Sequence, residues 1–206
     1  MTKELTKRVI TSIILVAIVL NCLFINNHSW LVLLIVVSLI SWSEFFNLIK
    51  KIYKKILPKS TLLILSFLVL LFFTYSAYKI RSDHGEIAII FILLICIFSD
   101  IGGYVVGKSV GGKKLTKISP NKTISGSVGS FLFSLFPIGI YGLILIITNN
   151  DIFRFALENE VIIFCLILSL TCQIGDLIIS FIKRKAKVKD TGNILPGHGG
   201  ILDRID

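Results

Sequence analysis

Residues 61–78 read TLLILSFLVLLFFTYSAY, a run without a single charged side chain. A membrane-spanning helix needs roughly 20 mostly apolar residues, and a run that is apolar all round has no polar face for a water-facing surface. Working outward from it, five more segments of the same kind can be marked: Val9 to Ile25, Leu31 to Ile49, Ile87 to Val106, Val128 to Ile147 and Val161 to Ile182. With Thr61 to Tyr78 they use up nearly the whole chain of 206 residues. A hydrophobic share of 54%, a charged share of 17% and a mean hydropathy of +0.88 exclude an ordinary soluble domain. The fold expected is all-α: a polytopic integral-membrane bundle of about six transmembrane helices. It forms one domain over 1–206, with N-terminal spans in 1–82 and a chemistry-bearing half in 83–206.

The net charge of +10 does not point to nucleic acid, because the cations do not form one stripe. All but Lys79, Arg81 and Arg154 fall at the Lys3, Lys7, Arg8 end, in the 50–59 loop, in the 108–122 loop, or from Lys183 onward. By the positive-inside rule, six spans then put both termini and these loops in the cytoplasm. Lys7 and Arg8 before an apolar run look like the start of a signal peptide, but no small-residue cleavage site follows, so a retained helix is expected. Cys22, Cys96, Cys165 and Cys172 stand singly, without a CxxC pair, and read as small buried hydrophobes.

Ionisable groups inside the spans are few and therefore informative. Glu44, in Ser41 Trp42 Ser43 Glu44 Phe45 Phe46, reads first as an interfacial residue beside a belt tryptophan, with a catalytic role as the alternative. Asp100, Tyr104 and Lys108 recur at helical spacing and share one face. That face suits either substrate binding or a helix-gluing pairing of Asp100 with Lys108 through Tyr104. Gly103 and Gly107 add a small-residue face for close helix packing. Asp176, with Ser180 one turn on and Lys183 and Arg184 beyond, makes a polar stripe toward the end of the sixth span. Two acids on different spans suggest a shared metal or proton site.

The loop Gly107 Lys108 Ser109 Val110 Gly111 Gly112 Lys113 Lys114 nearly spells a P-loop, but Lys114 replaces the required Ser or Thr and no strand precedes it. What survives is the physics of glycines and lysines around an anion, continued by Ser119 and Lys122. An anionic-lipid contact patch is the alternative. The tail sets Asp190, Asp203 and Asp206 around Pro196 Gly197 His198 Gly199 Gly200. Magnesium takes oxygen ligands and bridges carboxylates to substrate phosphates, and glycines would admit phosphate oxygens close to the backbone. His198 reads equally as a phosphate donor or acid/base and as an ordinary hydrogen-bonding residue.

These residues closely resemble the signature of the phosphatidate cytidylyltransferase (CDP-diacylglycerol synthase) family. Ser180, Lys183, Arg184, Lys189, Asp190, Pro196, His198, Gly199, Gly200, Asp203, Arg204 and Asp206 match it. Upstream, Asp100, Tyr104, Gly107, Lys108, Gly112, Lys113, Ser119, Pro120, Lys122, Thr123 and Gly126 fit the same pattern, so the resemblance covers about Asp100 to Asp206. Ser125 and Asn121 depart from it, standing where many members have Glu and Lys. The resemblance implies transfer of CMP from CTP to phosphatidate, with release of pyrophosphate, at the cytoplasmic face of a bacterial inner membrane and with Mg2+ as cofactor.

It further implies catalytic candidates Asp176, Asp190, Lys183, Arg184, His198 and Asp203. Asp176, Asp190 and Asp203 would be the metal acids. Asp100, Tyr104, Lys108, Lys113, Ser119, Lys122 and Arg204 would be the substrate-binding set. CTP, phosphatidate and membrane lipid are the partners expected, nucleic acid is not, and a homodimer stays open. Family members continue past the position of Asp206 into a further membrane helix, and by that comparison the tail acids here stand without a downstream anchor. Two other readings are a CTP-dependent kinase or cytidylyltransferase acting on another membrane lipid, and a small ion or proton transporter.

Overall fold

The computed structural model describes residues 3–53, 55–116, 119, 121–148 and 159–205. Pro120, Arg154 and Asp206, used in the sequence reading, lie outside them. Among the described residues every regular element is helical: α1 (Lys3–Ile25), α2 (Asn27–Ile52), α3 (Ile56–Val110), α4 (Ile124–Phe133), α5 (Phe136–Thr148), α6 (Asn159–Lys185) and the short α7 (Leu202–Ile205). Only isolated bridges, Lys114 with Thr123 and Leu195 with Gly199, add β-type pairing.

The expected third and fourth spans share one 55-residue helical segment, α3. At 1.5 Å per residue it would run about 80 Å, far beyond a hydrocarbon core of about 30 Å. Gly85 resolves this. It is the one non-helical residue in the segment, at φ +81° and ψ −176°, a conformation open to glycine and strained for other residues. The break therefore divides α3 into two lengths that each suit one crossing. The expected fifth span is likewise two pieces, α4 and α5, interrupted around Ser134 and Leu135. Pro137 follows in the first turn of α5, where its missing N–H costs no helix bond.

The chain divides into two compact units, Met1–Ile89 with Phe181–Asp206, and Ile90–Ser180. In the first, an asparagine–serine capping box opens α2: Ser29 N donates to Asn26 Oδ1 (2.7 Å), and Asn26 N donates to Ser29 Oγ. Buried Arg81 donates from Nε and Nη2 to the Leu23 carbonyl near the end of α1 (2.8 and 2.5 Å) and from Nη2 to Glu86 (3.0 Å). An arginine in an apolar bundle is tolerable when terminal helix carbonyls and a carboxylate replace its water. Trp30 Nε1 donates to the Ala77 carbonyl (3.2 Å), and Ser38 and Thr74 share a hydrogen bond (2.8 Å).

The second unit packs Ile95, Ile138 and Cys165 with Phe91, Leu135, Tyr141, Val161 and Leu168. A buried Ser99–Ser169 hydrogen bond (2.8 Å) ties α3 to α6. Gly103 and Gly107 form the expected close-packing face, joined by Gly102 on α3 and by Gly126 and Gly129 on α4. A Cβ on Gly126 would fall 2.8 Å from the Gly103 carbonyl, and one on Gly129 2.5 Å from Val106 Cβ. No disulfide joins the cysteines, and Cys96 and Cys172, 76 positions apart in sequence, meet at 3.2 Å.

Candidate functional site

The candidate residues collect in both units. In the second, α3 carries Asp100, Tyr104 and Lys108 outward. All three are exposed, and the Lys108 ammonium sits 5.5 Å from the Tyr104 ring centre and 3.4 Å from its hydroxyl. Past Val110 the chain turns through Gly111 and Gly112, both with positive φ (+65° and +107°). The loop then folds back on itself. Leu115 N donates to the Lys122 carbonyl (2.8 Å), Ile124 N to the Lys113 carbonyl (3.0 Å) and Lys122 N to the Ser119 carbonyl (3.1 Å). Thr123 caps α4 by accepting from Gly126 N (3.0 Å), and Ser125 Oγ donates to the Gly111 carbonyl. Ser125 is thus a loop-closing residue. Lys113 stays exposed.

This closure delivers Lys122 to Asp176 on α6, with Nζ 2.5 Å from Oδ2. Ser180, one turn along, donates to Asp176 Oδ1 (3.2 Å). The Asp176 side chain keeps 41% of its surface accessible, so the pair can exchange partners with an incoming ligand. One turn before Asp176, Gln173 accepts from Ser127 (2.5 Å) and donates to Ser169 (3.3 Å), which fixes the rotation of α6 against α4 and α3.

In the first unit the tail is a closed loop. α6 ends in a Schellman motif with Lys187 in the left-handed position (φ +55°). Val188 N donates to the Lys183 carbonyl (3.0 Å) and Lys187 N to the Arg184 carbonyl (3.1 Å). Leu195–His198 is a type II turn: Pro196 sets the first corner, Gly197 takes φ +78° at the second, and His198 N donates to the Leu195 carbonyl (3.0 Å). The turn lies on α1. Thr11 Oγ1 donates to the Pro196 carbonyl (3.0 Å), and Ser12 Oγ meets His198 Nε2 (3.2 Å). His198 Nδ1 is buried without a hydrogen-bond partner among the described residues. Arg204 donates to the His198 carbonyl (3.2 Å) while remaining exposed, as are Arg184 and Asp190.

Asp203 is the hub of this loop. Its Oδ1 accepts from Lys183 Nζ (2.6 Å), its Oδ2 accepts from Thr191 N (2.8 Å) and Gly200 N (3.1 Å), and Thr191 Oγ1, whose single proton it shares with Glu44, stands 3.0 Å from Oδ2. Burial alone would raise its pKa. The Lys183 hydrogen bond, the two backbone N–H groups and the lysine charge outweigh that and hold the carboxyl below its ordinary range.

Glu44 gains partners that the sequence reading did not name. It is 3% exposed, enclosed by the protein itself. Its Oε2 accepts from Thr191 Oγ1 (2.9 Å) and Leu202 N (2.9 Å), and its Oε1 from Ile201 N (3.1 Å). The only sequence signal was an acid inside an apolar span, and its partners lie some 150 positions away. Three tail glycines lie against side chains of the protein itself. A Cβ on Gly192 would fall 2.5 Å from Glu44 Oε1, and Gly200 lies directly against Glu44 and Thr191. A Cβ on Gly199 would fall 2.9 Å from Asp203 Oδ2. These glycines admit the chain's own carboxylates.

A sequence model of the cytidylyltransferase family matches residues 53–206. The chain belongs to the cytidylyltransferase family. Among curated relatives, the phosphatidate cytidylyltransferase of Rickettsia prowazekii is 32% identical over 208 residues, covering 97% of this chain and 85% of the relative. The enzymes of that name from Helicobacter pylori strain J99 and Bacillus subtilis are 38% and 43% identical over 135 and 131 residues. Those matches cover 64% and 62% of this chain, and 47% and 46% of the relatives. The chain thus spans about half the length of several curated relatives it matches. The family match takes in the Lys122–Asp176 pair and the whole Asp203 hub of this cytidylyltransferase-family chain. It leaves out α2 and Glu44.

Proposed function

We propose that the chain transfers CMP from CTP to phosphatidate, forming CDP-diacylglycerol and pyrophosphate. The observation that carries this reading is the family match across the residues that build both charged clusters, together with relatives that are phosphatidate cytidylyltransferases by name. The chemistry asks for little covalent help. A lipid phosphate oxygen attacks the α-phosphorus of CTP as the bond to the β-phosphate oxygen breaks, and both reactants are anions. Rate then comes from aligning them and neutralising charge.

The chain's residues supply those terms. Lys122, half withdrawn beside Asp176, and the exposed Lys108 and Lys113 are suited to phosphate oxygens, as is Arg204 at the tail. Asp176, Asp190 and Asp203 offer the hard oxygen donors that magnesium prefers. Asp176 and Asp190 keep accessible surface, whereas both Asp203 oxygens are already engaged. An ion held by Asp176 in its unit, or by Asp190 in its own, would stabilise charge on the leaving pyrophosphate. A multi-pass position in a bacterial inner membrane, with the charged loops cytoplasmic, gives CTP access from water and phosphatidate access from the bilayer.

The test is incorporation of cytidine label from CTP into lipid by membranes holding the chain, given phosphatidate and magnesium. Product containing cytidine supports the reading. Transfer of phosphate without cytidine would replace it with a lipid kinase.

A further inference from the structure

We propose that Glu44 is the positioning residue of the terminal loop: from α2 its buried carboxylate fixes residues 191–202, and so sets where Lys183 and Arg204 meet a substrate phosphate. A carboxylate removed from water persists only where hydrogen bonds replace its hydration. Around Glu44 all three replacements come from the tail, two of them backbone N–H groups at the start of α7. Each partner is a donor, which suits an acceptor-only carboxylate; a glutamine would turn its NH2 toward at least one N–H or O–H. Gly192 and Gly200 are bare where the carboxylate lies against them.

The link also continues outward. Thr191 Oγ1 stands 2.9 Å from Glu44 and 3.0 Å from Asp203, and Asp203 holds Lys183 at 2.6 Å. The series Glu44, Thr191, Asp203, Lys183 therefore joins a buried helix position to a cation of the family signature. Its consequence for the loop rests on geometry alone. Its consequence for turnover rests on the cytidylyltransferase reading.

The experiment compares the full chain in lipid nanodiscs with Glu44→Gln, Thr191→Val and Thr191→Ser. Hydrogen exchange of the 191–205 amides and steady-state kcat and KM for CTP are measured on each. Glu44→Gln should speed exchange at Ile201 and Leu202 by about tenfold or more while the α2 and α6 amides hold, and kcat should fall by a similar factor. Thr191→Val should move both readouts in the same direction, and Thr191→Ser, which keeps the hydroxyl, should restore both.

Unchanged tail exchange in Glu44→Gln overturns the proposal, and so does a loosened tail with wild-type kcat. Should Glu44→Gln fail to fold, equal exchange in Thr191→Val and Thr191→Ser overturns it. A wild-type chain that incorporates no cytidine defeats the enzyme reading instead, and tail exchange still decides whether Glu44 holds the loop.

Discussion

Asp176 and Asp203 each pair with a lysine, yet their surroundings give them different work. Asp203 is 5% exposed at its side chain and Lys183 16%, so Asp203→Asn leaves a half-buried cation without its counter-charge. A loss of about 3 kcal/mol is expected, read as faster amide exchange across 188–205 or a lower unfolding midpoint. Asp176 is 41% exposed, and solvent screens its pair with Lys122. Asp176→Asn should cost less than about 1 kcal/mol and still abolish cytidine incorporation, with protein level unchanged. Activity retained in that variant would remove Asp176 from the proposed site.

The pH response follows from Asp203 as well. Its carboxyl is depressed in the folded chain, so its contribution to stability is fully present above the unfolded value of 3.8. That contribution is lost as pH falls through the lower folded value. Tail exchange between pH 7 and 5 should therefore show no loosening from this group beyond the intrinsic exchange dependence, with loosening setting in only below about pH 4.

Among the elements, α3 against α4 is the contact with least room. Gly129→Leu should disrupt it, because any side chain there meets Val106 and the Gly102 carbonyl; overpacking of this kind costs about 1–3 kcal/mol or more. Sharply lower yield of folded protein in detergent, against a control Gly142→Leu with open space around it, would show it. At the end of α6, Lys187 takes a left-handed conformation at the Schellman position usually held by glycine. Lys187→Gly should leave thermal stability equal or higher, whereas Lys187→Val should lower it by about 1 kcal/mol.

At the scale of the whole molecule, much was legible because a bilayer imposes simple rules. A segment of sufficient apolar length must be helical to satisfy its backbone, so the span positions could be read from hydropathy. The break at Gly85 and the interruption before Pro137 could not, because both depend on local backbone geometry that hydropathy averages away. The charge distribution predicts that the 50–59 and 108–122 loops face the cytoplasm. Single cysteines introduced at Lys55 or Lys113, in a chain freed of its own cysteines, should resist membrane-impermeant thiol reagents in intact cells and react once the cells are opened. Labelling in intact cells would reverse the orientation.

The sequence by itself determined that the chain is a helical membrane protein, and it displayed the Asp100–Asp206 pattern that resembles the cytidylyltransferases, because apolar length and residue spacing are local properties. Only the tertiary structure decided what the polar residues do for one another. It brought Lys122 to Asp176, set tail glycines against carboxylates, and buried Glu44 under hydrogen bonds from a loop some 150 residues away. The physical reason is that a buried charge is defined by its partners, and partners distant in sequence meet only in the fold.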